Sequence, residues 1–479
     1  MNKRNITKII KSILWVLCIM LLMFSCKPDD TDEIKNIVPD SSLFVSKPLN
    51  EYQLGNYTAW HLSSVPATFP ETALNSGLMY GMNRALLSWY VIDSSSFYNN
   101  NSPNQIGNIN NAELSKHLVR IVMENEVYPG REIPNVQTGS LRIFNLAFYP
   151  DERGPYNFDC NGSMFSAGLE INGKLSSPET RWGGIARELE ERDFDFNYID
   201  FWLMDPLCED EEIAGKLVIN LGVISEDVLR DGKQFREHHV NMANLQNNDT
   251  SIWGVVPEET LNSYSFEDKL NQDFGYDGLD DEAEQSFFSD YLNDIAALCN
   301  ADAYQAICND PCGDDYHGYR SEQYDSEPAF SSILKKYKKC SNPEGNSEPE
   351  VVGITGDDAY YMWTLQPDCE MYDDDLTFQQ TDSYFEYAVD IDQAALAVKD
   401  QNYIVEIHTS NVNLANGESD DIYWYHFKIP INEYTASVGN PVLNISYKHL
   451  RFYLTGFNKP VVLRFANLLI TDEYVDVFE

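Results

Sequence analysis

From about residue 46 onward the chain alternates apolar and polar positions with a period of two, in short runs closed by Gly, Pro and Asn. That period is the one a half-buried strand requires. The clearest early runs are "SLRIFNLAFY" (140–149), "YIDFWLMD" (198–205) and "GKLVINLGVI" (215–224). A second series comprises "SYFEYAVDI", "NYIVEIHTS", "DIYWYHFKIPI", "HLRFYLTG" and "PVVLRFANLLI", all after residue 380. β-branched and aromatic residues dominate both series, which suits a pleated, partly buried surface.

Helical spacing occurs in three places. "NAELSKHLVRIVMEN" (111–125) and "SEDVLRDGKQFREHH" (225–239) each predict a helix, the second with Ser225 as N-cap ahead of acidic residues. "DEAEQSFFSDYLNDIAALC" (281–299) sets Phe287, Phe288, Leu292, Ile295 and Leu298 on one face. The pattern therefore predicts a mainly β chain with helical insertions: two jelly-roll-like β-sandwich domains, residues 46–257 and 350–479, bridged by an acidic, helical, Cys-bearing insert over 258–349. Two strand pairs, "YIDFWLMDP…GKLVINLGVI" and "HLRFYLTGF…PVVLRFANLLI", share an F-[WY]-L strand followed by a strand with one polar position, Asn220 or Arg464. They read as an internal duplication.

The N-terminus carries an address. Basic "MNKRNITKIIK" precedes the apolar run "SILWVLCIMLLMF", which is short for a bilayer span, and Ser25 precedes Cys26. Residues 1–26 predict a lipoprotein signal peptide with Cys26 as the lipidated residue, and residues 27–45 an acidic tether opening with "KPDDTDE". The expected location is the outer membrane, held through the lipid anchor and exposed at the cell surface.

Charge narrows the partners. The chain holds 33 Lys+Arg against 76 Asp+Glu, a net charge of −43. Removing residues 1–26 takes away Lys3, Arg4, Lys8 and Lys11 and no carboxylate, so the remainder carries 29 − 76 = −47. Such a surface repels phosphate backbones, and nucleic acid is excluded as a partner. With 43% hydrophobic and 13% aromatic residues the chain is globular.

Cysteines and carboxylates supply the candidate chemistry. Beyond Cys18 and Cys26 stand Cys160, Cys208, Cys299, Cys308, Cys312, Cys340 and Cys369, and in an oxidising compartment disulfides among them are expected. Cys308 and Cys312 with His317 lack the paired knuckle of a zinc site. "DFGYDGLDDEAE" (273–284) matches a twelve-residue calcium loop at Asp273, Asp277, Gly278 and Glu284, with the Leu279 carbonyl and Asp281 at the seventh and ninth positions. Gly275 stands at the third position, where a carboxylate or amide belongs, so any calcium there binds weakly. The alternative is an acidic helix start, which the helix dipole favours without a metal.

Catalytic signatures are missing: the chain has no G-x-S-x-G, H-E-x-x-H, P-loop or dinucleotide fingerprint. His238 and His239 read as a cationic helix end. Trp60, Trp89, Trp182, Trp202, Trp253 and Trp424 read either as core or as a platform for sugar rings. The expectation is a protein that is not an enzyme and has no cofactor beyond the candidate calcium. Its alternative is a cell-surface glycan-binding lipoprotein using a jelly-roll face.

Several stretches, in order, resemble one family. They are "LLSWYVID", "FYPDERGPYNFD", "RWGGIARELEERDFDFNYIDFWLMDP", "GKLVINLGVISEDVLRDGKQF", "WGVVP", "QDFGYDGLDDEAE", "YKKCSNPEGNSEPE", "TDSYFEYAVDI" and "HLRFYLTGFNKPVVLRFANLLI". From about residue 75 to 470 the chain resembles SprA/Sov, the outer-membrane translocon of type IX secretion and gliding motility in Bacteroidota. The resemblance implies a non-enzymatic role and protein partners from the secretion or gliding machinery. A barrel of up to about 36 strands, at about 9–11 residues each, exceeds what two compact β regions supply. The chain thus resembles a soluble, non-barrel segment of SprA issued as a separate lipoprotein, an accessory or paralogous component acting through protein-protein contacts.

Overall fold

The computed structural model describes residues 44–74, 77–98, 106, 109–129, 139–190, 195–235, 249–256, 275–315, 317–319, 332–341, 351–352, 360–361, 369–370, 372, 377–445 and 447–478. The signal peptide, Cys26, nearly all of the tether, Asp273, His238 and His239 lie outside them.

In chain order the strands begin with β1 (Phe44–Pro48), β2 (Glu51–Gln53), β3 (His61–Leu62), β4 (Ala85–Tyr90) and β5 (Phe144–Arg153). Then come β6 (Trp182–Glu188), β7 (Tyr198–Met204), β8 (Gly215–Val223), β9 (Asp249–Thr250), β10 (Val255–Val256), β11 (Val351–Val352) and β12 (Tyr360–Tyr361). The last series is β13 (Ser383–Ile391), β14 (Ile404–Asn413), β15 (Ser419–Pro430), β16 (Ala436–Val438), β17 (His449–Thr455), β18 (Val461–Thr471) and β19 (Tyr474–Phe478). Strands β1 and β19 pair with each other in a small unit of their own, while Pro48–Glu473 form the body.

Two antiparallel sheets build that body. One has the order β16-β13-β8-β17-β6-β3, and the other β14-β15-β7-β18-β5-β4 with β2 added to β18. The mainly β character and the sandwich are as the alternation predicts. The division into sandwiches at 46–257 and 350–479 is corrected: β8 lies between β13 and β17, and β7 between β15 and β18. Both halves of the chain thus share both sheets. The physical reason is that alternation reports a buried face and carries no record of which strand lies alongside.

The two similar strand pairs sit crosswise. β7 pairs with β18 in one sheet, and β8 with β17 in the other. Each sheet then carries an equivalent polar rung: Arg451 Nε donates to Asn220 Oδ1 at 2.8 Å, and Arg464 Nε donates to Asn145 Oδ1 at 3.1 Å. Inside the sandwich, Leu217, Ile219 and Phe452 meet Phe201, Leu463 and Phe465 in one apolar core. A second core, with Phe97, Val119 and Tyr337 over Trp202 and Trp424, covers the outer face of the β7 sheet.

Two predicted helices differ. Over 111–125 only Asn111–Leu114 and Glu124–Val127 are helical. Residues 225–235 form no helix, because buried carboxylates take the main-chain donors. Glu370 accepts from Leu229 N–H at 3.1 Å and Phe235 N–H at 3.0 Å, and Asp227 accepts from Asp231 and Gly232 N–H at 3.0 Å each. The helix expected over 281–299 breaks at Phe288 into Asp281–Phe287 and Ser289–Leu298, which leaves Phe287 exposed while Phe288, Leu292 and Ile295 are buried.

Candidate functional site

Strand β5 ends at Arg153, where Gly154 and Pro155 turn the chain. A Cβ on Gly154 would lie 2.6 Å from the Ala85 carbonyl oxygen, so this turn has no room for a side chain. Tyr156 follows with φ +57 and is fully buried. Its N–H donates to the Cys312 carbonyl at 2.6 Å, and its ring stacks on Tyr276 with centroids 5.7 Å apart. Phe158 packs against Trp253, Phe288 and Tyr291. Arg153 donates to the Asn157 and Pro311 carbonyls, and Glu152 pairs with Lys338. "FYPDERGPYNFD" is therefore a buried frame that docks the acidic insert onto the sandwich.

What it docks is a cluster of carboxyl groups. Asp277, Glu284 and Asp314 are each at most 3% exposed. Cys312 Sγ donates to Asp277 Oδ2 at 2.7 Å, and Cys312 N–H to Glu284 Oε2 at 3.0 Å. The Tyr156 hydroxyl donates to Asp314 Oδ2 at 2.8 Å. Behind them Asp310 pairs with Lys339 at 2.8 Å. Burial, and then the neighbouring carboxylates, push the Asp277, Glu284 and Asp314 carboxyls well above the ordinary carboxylate range. Burial likewise raises the Cys312 thiol. Asp315 is raised to about 7, by burial and then by Asp310. At Asp310 burial opposes ionisation, but the Lys339 ammonium outweighs it and lowers the carboxyl below its usual value.

Two of the predicted calcium ligands, Asp277 and Glu284, do converge. With Cys312 they place their ligand atoms within 4.8 Å of one another, as do Glu284, Asp310 and Asp314. Asp281 belongs to neither group. Sequence reasoning missed Asp310, Asp314 and Cys312, and the one sign of them is Gly275. A Cβ there would stand 1.9 Å from Asp314 Oδ2, and the residue has φ +53. Asp314 thus brings a carboxylate from across the insert into the space that a side chain at the third loop position would fill. Three hard carboxylates suit a divalent cation, whereas the Cys312 thiol and the Lys339 ammonium do not.

Cys160, Cys208, Cys299, Cys308 and Cys312 stand as thiols, and clustering along the chain has not brought their sulfurs into disulfide bonds. The six tryptophans of the candidate sugar platform are all buried, between 0% and 5% exposed, and offer no ring face to a glycan. Four histidines are committed to structural bonds: His117 to Asp420 and Arg120, His408 to the Glu126 carbonyl, His426 to Asp200, and His449 to Ile224 N–H. No helix among the described residues is long and apolar enough to cross a membrane.

Fold and site together define an antiparallel β-sandwich braced by buried polar clusters, with an acidic helical insert locked onto it. Residues 290–476 match the SprA_N family model, described as a motility related/secretion protein, and the chain is SprA-related over that span. The match starts within the helix Ser289–Leu298 and takes in every strand from β13 to β18, the later part of the resemblance read over 75–470. No curated protein matches the chain.

Proposed function

We propose that this chain is a non-enzymatic, lipid-anchored component of the cell envelope that serves secretion or motility through protein-protein contacts. The observation that carries the reading is the motility and secretion family match over 290–476, which lies on strands central to both sheets. Four of its histidines, and buried pairs such as Arg181–Asp159 and Arg120–Glu126, are spent on bracing, which suits a scaffold. Lipidation at Cys26 would place it at the outer membrane. Pull-down of the tagged protein from solubilised outer membranes is the test: secretion or motility components are expected among the recovered proteins. Recovery of none, with the Cys26→Ala variant still sedimenting with membranes, would sink the reading.

A weak calcium ion at Glu284, Asp310 and Asp314, with Asp277 beside Glu284, is the cofactor reading attached to this scaffold. The carboxylate of Asp314 standing in the place of a Gly275 side chain supports it. Such an ion would offset two of the negative charges in the cluster.

A further inference from the structure

Sheet edges are where extended chains add, because alternate residues of an outer strand turn N–H and C=O away from their one neighbour. Among the described residues, the outer strands β2, β3, β4 and β16 are closed or too short. β3 has two residues and β16 three, while β4 is covered where Trp89 N–H donates to Ser341 Oγ at 2.8 Å. β14 is different. It runs for ten residues, "IVEIHTSNVN", without Pro or Lys, and its one irregularity lies between Ile404 and Glu406. Among the described residues, main-chain bonds from Glu406 to Asn413 go to β15 and to no other strand.

Beside this edge opens a groove of about 580 Å³. Register places Ile407 opposite Tyr425, Thr409 opposite Tyr423 and Asn411 opposite Asp421 on one face of the β14–β15 hairpin. Thr409, Asn411, Asp421 and Tyr423 are exposed there. Asp205, Glu211, Asp420 and Asp421 line the groove with no lysine or arginine among the lining residues, and its imidazole, His117, is held by Asp420 at 3.2 Å. Burial raises the Asp205 carboxyl and Glu211 adds to the effect, a strain that an incoming cation relieves.

We infer that β14 takes up an extended, lysine- or arginine-bearing peptide segment of a partner protein, which pairs with its main chain and sets basic side chains over the acidic, tyrosine-lined groove. The occupant follows from charge. A second copy of this chain would bring another net charge of −43 to the edge, whereas a basic strand is drawn in. The inference rests on the protein-contact reading above, and names the surface on which that contact is made.

The test uses the whole mature protein and a fluorescent synthetic peptide that alternates lysine with valine or threonine. Three outcomes are expected together: saturable binding, weakening by about tenfold or more between low and high salt, and slowed amide exchange confined to β14. The Asp205→Asn/Glu211→Gln pair should weaken binding while leaving the circular dichroism unchanged. A glutamate version of the peptide should not bind. No binding, or binding without protection of β14, overturns the inference, as does equal binding of a peptide N-methylated at alternate residues. Because the probe is synthetic, these results stand apart from whether a pull-down recovers secretion components.

Discussion

The Tyr156 hydroxyl donates to Asp314 Oδ2 at 2.8 Å while accepting the Tyr276 N–H at 2.5 Å. One oxygen thereby joins the turn after β5 to both sides of the acidic insert. Tyr156→Phe keeps the ring and its stacking on Tyr276 but leaves two buried polar groups without this partner. The expected cost is about 1–3 kcal/mol, read from urea unfolding. A change within error would mean that the hydroxyl does not brace the insert.

Stability should fall as pH rises toward neutrality. The Asp277, Glu284, Asp314 and Glu370 carboxyls are raised well above their ordinary values, and Asp227 is raised to about 6, in each case first by burial. Folded chains then hold protons that unfolded chains have released, so the contribution is whole below about pH 4 and is lost as pH climbs through the folded values. Urea midpoints compared at pH 5 and pH 7.5 should show the loss. Asp227→Asn should flatten the part of the slope near pH 6, and an unchanged slope in that variant would remove Asp227 from the account.

Arg181 and Asp159 form an ion pair at 2.7 Å with both side chains fully buried. Ser166 and the Gly168 and Ser176 carbonyls take further guanidinium protons. Asp159→Ala leaves the cation buried without its counter-charge, for an expected loss of about 3–5 kcal/mol. Thermal unfolding measures it, and a loss below about 1 kcal/mol would show that water or a nearby carboxylate replaces Asp159.

Calcium bound at the carboxyl cluster would compete with the protons held there. At pH 8, millimolar Ca²⁺ is expected to raise the thermal midpoint over a chelator control, as any ligand of the folded state must. The rise should shrink at pH 5 and vanish in Asp314→Asn. An unchanged midpoint at pH 8 would leave shared protons and Lys339 as the cluster's charge balance.

Much of the local structure was legible beforehand because strand alternation is a local signal. β7 and β8 lie within a residue of the runs at 198–205 and 215–224, and β13 coincides with "SYFEYAVDI". Asp277 and Glu284 could be paired from loop spacing. Asp310, Asp314, Cys312 and Tyr156 could not, since their meeting depends on how the insert docks. The non-helical path of 225–235 was hidden for a similar reason: Glu370, which satisfies its N–H groups, is far away along the chain.

By itself, the order of residues determined which segments become strands, which faces they bury, the acidity of the surface and the likeness to SprA. Tertiary structure decided that the two strand series interleave into one sandwich, that six tryptophans are core, that Asp314 fills the space beside Gly275, and that β14 takes the end position of its sheet. Periodicity and composition are properties of neighbouring residues, whereas strand partnership, burial of charge and exposure of an edge arise from contacts between residues far apart in the chain.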